Sequence, residues 1–417
     1  MASFKILHSS DWHLGCRLMN KERDEEQEES LNWLIKTVES EKINLLIVAG
    51  DIFDTGAPPN SARSLYYSFL RKLIRTECSH IIITGGNHDS PSMLEAPKEI
   101  LELLQIHVVG AAFSTENGSI DYSKEIIRIN NENNELIAVV GAVPFLRDRD
   151  IMKAVAGQSY NDRITMMHEG IKEHYNRIAE LLNDYKNVPR IVTGHLFAKN
   201  TILSGNAIKQ EGENDIHIGN LAQVDMSSFQ NKFSYVALGH IHKPQILGNA
   251  NNVRYSGSLI PMSFSEREDK KTVVVVEFSK EDIDKIETID VPPTRKIIRI
   301  KGDVDKVKTA IDLFKNPLNR ECWCELIFTK AIGKQDVDDI KTFAKGKDME
   351  ILKYCFDIPQ TNVPEFRSKI EGKTLEDISV DEILDLKCLE EGIAHEDAQK
   401  IKETFTELKS LFNNQNE

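Results

Sequence analysis

Five short clusters of Asp, His and Asn residues in this sequence carry side chains that bind divalent metal ions. Each cluster directly follows a short apolar segment, and four have a glycine immediately before the first polar residue. Carboxylate oxygen, amide oxygen and imidazole nitrogen form a mixed ligand set that suits Mn²⁺, Fe²⁺ or Zn²⁺ better than Ca²⁺ or Mg²⁺. The clusters are Asp11 with His13, Asp51 with Asp54, Asn87 with His88 and Asp89, His195, and His240 with His242.

These side chains are enough to bind two ions, and a pair of divalent ions is typical of enzymes that transfer phosphoryl groups. Two divalent cations about 3.5–4 Å apart can hold both the attacking and the leaving oxygen of a phosphoryl transfer. A shared carboxylate reduces their repulsion, and the cations lower the pKa of bound water so that hydroxide forms near neutral pH. We therefore expect a dimetal phosphoesterase. The ligand types alone do not distinguish DNA from a small phosphodiester or a phosphoprotein.

Strands that end at one edge of a sheet must position these clusters. The predicted apolar strands that end at a cluster are 5–8, 45–49, 81–84, 190–194 and 235–239. The helical patterns between the early strands cover 24–41, 60–75 and about 93–104. Strands that alternate with helices form a mainly parallel sheet, and such sheets build their sites at the carboxyl ends of the strands.

The chain becomes richer in strands after about residue 124. The further elements predicted there are strands at 126–129, 136–143, 253–256 and 273–278, and a long helix near 162–184. Two sheets packed together, with helices outside them, accommodate this order. The expected fold class is α/β.

Three parts are expected along the chain: 1–290, 291–373 and 374–417. Pro292-Pro293 marks the first boundary, and a small α+β module follows it. Its predicted strands and helices are 296–300, 303–315, 323–328, 335–345 and 350–356. Two helices are predicted in the tail, at 375–390 and 393–412. The second has a narrow apolar face of the coiled-coil type, which favours contact with a partner helix but is also consistent with packing on its own domain.

Composition excludes several classes of protein. The 417 residues are 40% hydrophobic and 28% charged, which is ordinary for a globular chain and excludes general disorder. No apolar run reaches the roughly 20 residues of a membrane span, and the N-terminus does not resemble a signal peptide. We expect a cytoplasmic protein whose six cysteines are free thiols. Cys322 and Cys324 share one face of a strand, where ordinary packing is expected.

The net charge of −14 argues mildly against bulk binding of nucleic acid. The charge is uneven, because residues 291–373 hold 17 Lys and Arg against 13 Asp and Glu, whereas 374–417 hold 4 against 12. A basic module beside a phosphate-cleaving site is a plausible guide for DNA, with Arg299 and Lys301 on one side of a strand and Lys296 on the other. A solvated surface explains the same residues equally well.

The clusters also carry a family resemblance. The set Asp-x-His, Gly-Asp-x-x-Asp, Gly-Asn-His-Asp, Gly-His and Gly-His-x-His resembles the calcineurin-like metallophosphoesterase superfamily. Longer stretches at 8–15, 49–56, 85–90 and 238–244 resemble the bacterial SbcD family of exonuclease subunits. The resemblance covers nearly the whole chain, although the specific motifs lie in the first 280 residues. It implies a four-layer α/β/β/α sandwich with a small α+β cap domain and a C-terminal helical tail.

The resemblance also implies a role for each residue. Asp11, His13 and His242 would bind the first ion, and Asn87, His195 and His240 the second, with Asp51 as the bridge between them. His88 would protonate the leaving oxygen or stabilise the charge of the transition state. Asp54 and Asp89 would orient ligand imidazoles or His88. Asp54 stands where the eukaryotic and archaeal branch tends to have histidine, which favours the bacterial branch.

The function implied is that of a Mn²⁺-dependent DNA nuclease. It would attack duplex ends in the 3′→5′ direction and cut single strands and hairpins, in DNA repair, recombination and replication. The implied partners are DNA, a second copy of the chain bound through the phosphoesterase domain, and the SMC-like ATPase SbcC. The residues expected to bind SbcC are Leu386, Ile401, Phe405 and Leu408. The sequence contains no Walker A motif, so any ATP dependence must come from that partner.

Two alternatives stay open. A phosphodiesterase for cyclic or mononucleotides would use the same core and would hydrolyse a small diester without cutting long DNA. A non-catalytic scaffold would have lost ligands, whereas all seven ligand positions are filled here.

Overall fold

The computed structural model describes residues 4–115, 117–151, 159–199, 201–204, 224–229, 231–357, 384, 388, 393 and 397–405. The strands in these ranges are β1 Phe4–Ser9, β2 Arg17–Leu18, β3 Lys21–Glu22, β4 Leu45–Ala49, β5 His80–Thr84, β6 Ile106–Val109, β7 Ile126–Asn130, β8 Leu136–Gly141, β9 Arg190–His195, β10 Tyr235–Gly239, β11 Gln245–Ile246, β12 Val253–Tyr255, β13 Thr272–Ser279, β14 Asp282–Asp290, β15 Ile297–Gly302, β16 Cys322–Phe328 and β17 Met349–Phe356. The helices are α1 Asp24–Ser40, α2 Asn60–Leu73, α3 Pro91–Glu95, α4 Lys98–Glu102, α5 Asp148–Ile151, α6 Tyr160–Leu182, α7 Val304–Leu313 and α8 Lys334–Lys345.

Two six-stranded sheets form the larger part of the protein. The first has the order β14-β13-β1-β4-β5-β6. In this sheet β1, β4, β5 and β6 are parallel, β13 pairs antiparallel with β1, and β14 pairs antiparallel with β13. The second has the order β11-β12-β10-β9-β8-β7, with β8, β9, β10 and β12 parallel. Strands β4, β5 and β10 are buried along their whole length, because both of their faces are covered.

The apolar cores follow from this arrangement. One cluster joins the facing sides of the two sheets, with Ile6 and Leu45 of the first and Val140 and Ile191 of the second. A second cluster covers the other side of the first sheet and includes residues of α1 and α2. A third covers the other side of the second sheet and includes Ile178 of α6. The chain is therefore a mixed α/β protein built on several sheets.

Residues 291–357, called the small module below, carry a separate three-stranded sheet. Its strands β15, β16 and β17 are parallel, and α7 and α8 pack on one face of the sheet through Val307, Leu326 and Ile340. Cys322 and Cys324 are buried in β16 and are free thiols. The opposite face of the sheet turns towards the larger part of the protein, where Ile297 and Trp323 pack with Leu18 and Phe264.

Two of the three positive charges predicted to guide DNA, those of Arg299 and Lys301, are paired with acids. Arg299 Nε donates to Glu325 Oε2 at 2.5 Å, and Lys301 donates to Asp357. Glu325 also lies 3.4 Å from the ammonium of Lys353. The strand of Arg299 and Lys301 is consequently less basic than its sequence suggests.

One predicted element differs from the structure, one observed strand was not predicted, and part of the predicted tail lies outside the described residues. The helix predicted over 93–104 is two short helices, α3 and α4, because Pro97 interrupts the backbone hydrogen bonding. Strand β14 was not predicted. In the tail, residues 397–405 are helical, but Leu386 and Leu408 lie outside the described residues. No helix in the described part of the chain is long and apolar enough to cross a membrane.

Candidate dimetal centre

The two sheets bring the five predicted clusters together at the carboxyl ends of their strands. Asp11, Asp51 and Asn87 follow β1, β4 and β5 of the first sheet, and His195 and His240 come from the ends of β9 and β10 of the second. Gly239 pairs with His195 in the register of β9 and β10, which sets these two histidines side by side. Three groups of ligand atoms lie within 4.8 Å of one another: Asp11 with His13 and His242, His13 with Asp51 and His88, and Asp51 with His195 and His240.

Asp51 occupies the middle of the centre. Its side-chain Oδ2 lies 3.1 Å from His195 Nε2 and 3.5 Å from His13 Nε2. Asn87 is on the His195 side, where its Oδ1 lies 3.0 Å from His195 Nε2 and 3.1 Å from His240 Nδ1. A carboxylate between two sets of ligands is the arrangement that two cations need.

The second nitrogen of three imidazoles shows whether the centre fits a metal. His195 Nδ1 lies 3.0 Å from the carbonyl of Ala49, and a carbonyl can only accept, so this nitrogen carries the hydrogen. His242 Nδ1 lies 2.9 Å from a carboxylate oxygen of Glu266, and His13 Nδ1 lies 3.3 Å from one of Asp54. In the neutral form, each of these three rings would therefore direct the lone pair of Nε2 into the centre.

In the neutral rings these lone pairs face acceptor atoms of the described residues or one another. His13 Nε2 and His242 Nε2 lie 3.1 Å apart, and His195 Nε2 faces the oxygens of Asp51 and Asn87. Electron pairs that converge in this way repel each other unless a cation lies between them. The donor set and its orientation therefore fit divalent metal ions.

Without metal, protons take the place of the cations. Burial disfavours the charged form of His13, but its hydrogen bond to Asp54 and the charge of Asp51 outweigh burial and raise the pKa of His13 to about 9. Burial also disfavours the charged form of His195, but the charge of Asp51 outweighs burial and raises the pKa of His195 to about 9. Burial would raise the pKa of Asp51, but the charges of His195 and His13 hold that pKa well below its usual value. Burial and the charge of His195 lower the pKa of His240 to about 3.

Tight backbone turns place these ligands. Asp11, His13, Asp51 and His240 have φ values of 52°, 45°, 51° and 93°, in the left-handed region that side chains rarely adopt. A Cβ on Gly239 would lie 1.8 Å from the carbonyl oxygen of Ala49. The glycines before the polar residues are thus required by the close approach of neighbouring turns.

His88 and Asp54 lie beside the ligands. The carbonyl of Asp54 accepts a hydrogen bond from His88 Nδ1 at 2.8 Å, while the carboxylate of Asp54 faces His13. The backbone N–H of His88 donates to Asp51 Oδ1 at 3.0 Å, and its ring stands edge-on to His13 with centroids 4.8 Å apart. Asp54 is therefore in a position to orient both imidazoles.

Asp89 lies differently from the expectation that it orients an imidazole. Its carboxylate accepts the backbone N–H groups of Ile52, Phe53 and Gly86 at 2.9–3.0 Å. Asp89 thereby ties the turn after β4 to the turn after β5. Burial and the nearby charge of Asp51 raise the pKa of Asp89 to about 6.

Glu266, Lys271 and Ser10 also support the ligands, although they were not predicted from the sequence. Glu266 and Lys271 hold His242, and Ser10 donates to Asp11 Oδ2 at 2.5 Å. Glu266 and Lys271 follow an irregular segment without a recognisable spacing, so no pattern in the sequence indicates them. Ser10 was visible only as the neighbour of a ligand.

A cavity of about 300 Å³ opens over the ligands. His13, Asp51, His88 and His242 line its floor, and Glu325 and Lys353 of the small module line its wall. A substrate bound in this cavity would therefore lie beside the small module.

Comparison with known proteins is consistent with this geometry. The sequence model of the calcineurin-like phosphoesterase family matches residues 4–244. The chain belongs to this family of metal-dependent phosphoesterases.

Curated relatives narrow the family. The SbcD subunit of nuclease SbcCD from Escherichia coli (strain K12) is 31% identical over 408 residues, covering 96% of this chain and 97% of the relative. The proteins of the same name in Rhodobacter capsulatus and Bacillus subtilis are 33% and 30% identical, over 63% and 66% of each chain. The chain is thus a member of the SbcD-type nuclease subunits, and these relatives do not favour the small-diester alternative.

Proposed function

We propose that this protein is the nuclease subunit of an SbcC–SbcD-type complex and hydrolyses DNA phosphodiesters in repair, recombination and replication. The observation that carries the proposal is the pair of ligand groups that share Asp51 at the floor of a cavity walled by the small module. Duplex ends are degraded 3′→5′, and single strands and hairpins are cut internally.

The residues divide between two ions, for which Mn²⁺ is the proposed metal. Asp11, His13 and His242 would hold the first ion, Asn87, His195 and His240 would hold the second, and Asp51 would contribute to both. When bound, the ions supply an activated water and neutralise the charge that develops on the phosphate.

His88 is the proposed proton donor. Because its Nδ1 donates to the carbonyl of Asp54, Nε2 is the nitrogen that delivers a proton to the leaving oxygen. The carboxylate of Asp54 orients His13, and that of Asp89 keeps the turn of Asn87 and His88 against the turn of Asp51.

We also propose the arrangement of the chain into three parts. Residues 1–290 form a four-layer α/β/β/α sandwich, 291–373 a small cap domain that guides DNA, and 374–417 a helical tail. Support for the layers comes from the three apolar clusters between and outside the two large sheets. The cellular location is the cytoplasm.

Two protein partners complete the proposal. The tail docks on the coiled-coil base of SbcC through Leu386, Ile401, Phe405 and Leu408, and Ile401 is 38% exposed in the described helix. A second copy binds through the phosphoesterase domain. Three large apolar side chains near α4 support this: Ile100, Leu103 and Leu104 are 67%, 82% and 48% exposed. Such a group of exposed apolar side chains close together in the sequence is typical of an interaction surface.

The experiment is cleavage of an end-labelled DNA hairpin with Mn²⁺ by the wild type, Asp51→Asn and Asp284→Asn. Asp51→Asn removes the shared charge, whereas Asp284 is an exposed residue of β14 and provides the matched control. Cutting that requires metal, disappears in Asp51→Asn and persists in Asp284→Asn supports the proposal. Hydrolysis of a small chromogenic diester without any cutting of the hairpin, even after SbcC is added, overturns it.

A further inference from the structure

Four side chains form a buried charged cluster where the small module meets helix α1. We call this set the Arg–Trp cluster: Arg23, Glu26, Arg295 and Trp323. Arg23 Nη2 donates to Glu26 Oε2 at 2.6 Å, and Arg295 Nε donates to Glu26 Oε1 at 2.7 Å. The guanidinium of Arg295 lies 3.9 Å from the ring centroid of Trp323, and that of Arg23 lies 5.8 Å from it. One carboxylate and one indole ring thus hold two cations from different parts of the chain.

The cluster is largely closed to solvent, with Arg295 partly exposed. Arg23 is 2% exposed, Glu26 1% and Trp323 3%. Buried ion pairs gain little stability over a packed apolar contact, because the charges must give up their hydration. They do fix geometry, since guanidinium, carboxylate and indole groups each bind in defined directions. The Arg–Trp cluster therefore defines the orientation of the small module.

Two contacts lead from the cluster to one loop of the larger part. Arg23 Nη1 donates to the carbonyl of Pro261, and Phe264 packs in the same apolar cluster as Trp323 and Ile297. Phe264 begins and Glu266 ends the 3-10 turn Phe264–Glu266, and Pro261 lies shortly before this turn. Arg23 and Trp323 thus contact the segment that contains this turn.

Glu266 connects the turn to a metal ligand. Its carboxylate accepts from His242 Nδ1 at 2.9 Å and from Lys271 Nζ at 2.5 Å. Lys271 Nζ also donates to the carbonyl of His242 at 2.9 Å. Glu266 and Lys271 therefore hold both the ring and the backbone of His242, and Glu266 lies in the turn that Phe264 begins. A continuous chain of contacts joins the small module to the ligand.

We propose that the small module, through the Arg–Trp cluster, positions His242 and so sets the affinity of the first metal site. Trp323 and Arg295 are positioning residues that act through Phe264 and Glu266. The inference rests on the proposed assignment of Asp11, His13 and His242 to one ion, but not on DNA as the substrate. The second site, with Asn87, His195 and His240, is independent of this path.

The test measures Mn²⁺ affinity at both sites by calorimetric titration of full-length protein freed of metal by chelation. The variants are Trp323→Ala, Trp323→Phe and, as control, Arg320→Ala. Arg320 also joins the small module to α1, through Glu25 and Glu29 at 3.6 and 3.1 Å, but neither partner contacts the loop of Glu266. Circular dichroism and thermal unfolding report whether each variant is folded.

A weakening of one site by at least tenfold in Trp323→Ala, with the other site unchanged, partial recovery in Trp323→Phe and wild-type binding in Arg320→Ala, supports the inference. Unchanged affinities in a folded Trp323→Ala overturn it, and so does equal weakening of both sites. Should Trp323→Ala fail to fold, the same comparison is made with Phe264→Leu. Failure of the proposed function looks different, because the wild type then binds two ions and leaves DNA uncut.

Discussion

Gly86 and Asp51 approach each other so closely that a Cβ atom on Gly86 would lie 2.0 Å from Oδ1 of Asp51 and 2.3 Å from its backbone nitrogen. A side chain at residue 86 must therefore displace the residue in the middle of the centre. We expect Gly86→Ala to lower phosphodiester hydrolysis by about 100-fold, since a misplacement of about 1 Å has an effect of that size. Initial rates at saturating Mn²⁺ measure it.

Gly56→Ala is the matched control for Gly86→Ala. Gly56 lies shortly after Asp54 in the segment that follows β4. The nearest atom to a Cβ added at Gly56 would be 3.7 Å away, which is an ordinary contact. Wild-type rates are expected in Gly56→Ala. Comparable losses in the two variants would show that the approach to Asp51 is not the cause.

His88→Ala separates proton transfer from metal binding. Loss of a general acid lowers turnover by about 10²–10⁴-fold. The ring of His88 is proposed to protonate the leaving oxygen, so two Mn²⁺ ions should still bind. Single-turnover rates and metal titration of the same sample provide the two measurements. His195→Ala serves as the contrast, because it should lose an ion; a wild-type rate in His88→Ala contradicts the role.

Stability of the metal-free protein should fall as the pH rises from about 6.5 to about 9. The pKa values of His13 and His195 are raised from 6.5 to about 9 in the folded chain. Their contribution is fully present below pH 6.5 and is lost as the pH passes through 9, by roughly 3 kcal/mol or less for each ring. Chemical unfolding in chelator between pH 6 and 9.5 measures the decline.

Metal affinity should change in the opposite direction over the same range. Mn²⁺ must displace the protons on His13 and His195, so binding strengthens with pH and releases protons. Calorimetry in two buffers of different ionisation enthalpy counts the protons released. Binding that is independent of pH between 6.5 and 9 would exclude these histidines as ligands.

Leu103→Glu tests the proposed self-association. A charge at a residue that is 82% exposed in one chain has little effect on folding but is costly inside an apolar interface. We expect the dimer to dissociate at least tenfold more readily, as measured by analytical ultracentrifugation. Leu313→Glu, on α7 of the small module and 74% exposed, is the control and should leave the dimer intact. A monomeric wild type at high concentration would refute the dimer itself.

Ile401→Glu tests the contact with the ATPase. Binding to SbcC should weaken by at least tenfold, because Ile401 presents an apolar surface that the partner would bury. Hydrolysis of a small diester should stay at the wild-type rate. Gln399→Glu adds the same charge on the far side of the helix and should bind normally in the same pull-down titration. Equal binding by both variants would place the contact elsewhere.

Most of the strands could be predicted because they are apolar and end in recognisable turns. Strands β4 and β10 each end at a glycine and have no polar residue in their interiors. Strand β14 was missed because six of its nine residues, Asp282, Asp284, Lys285, Glu287, Thr288 and Asp290, are polar. It lies at the edge of its sheet, where only one neighbour pairs with it, so its sequence resembles a solvated loop.

The candidate centre was predictable to the extent that it is built from strand ends. Asp11, Asp51 and Asn87 are recognisable because each follows an apolar strand directly. Glu266 was not, since its role depends on a fold that returns an irregular segment to His242. The contact of Asp89 with backbone N–H groups was equally invisible, because a pattern of residue types does not show whether a carboxylate faces a ring or a main chain.

The left-handed backbone of Asp11, His13, Asp51 and His240 has an evolutionary consequence. Each such residue costs roughly 1 kcal/mol or more that glycine would not pay. Replacement of these ligands by glycine would relieve strain in the metal-free chain while removing the chemistry. Backbone strain alone would therefore favour glycine at these four positions, so selection for their side chains must outweigh that strain.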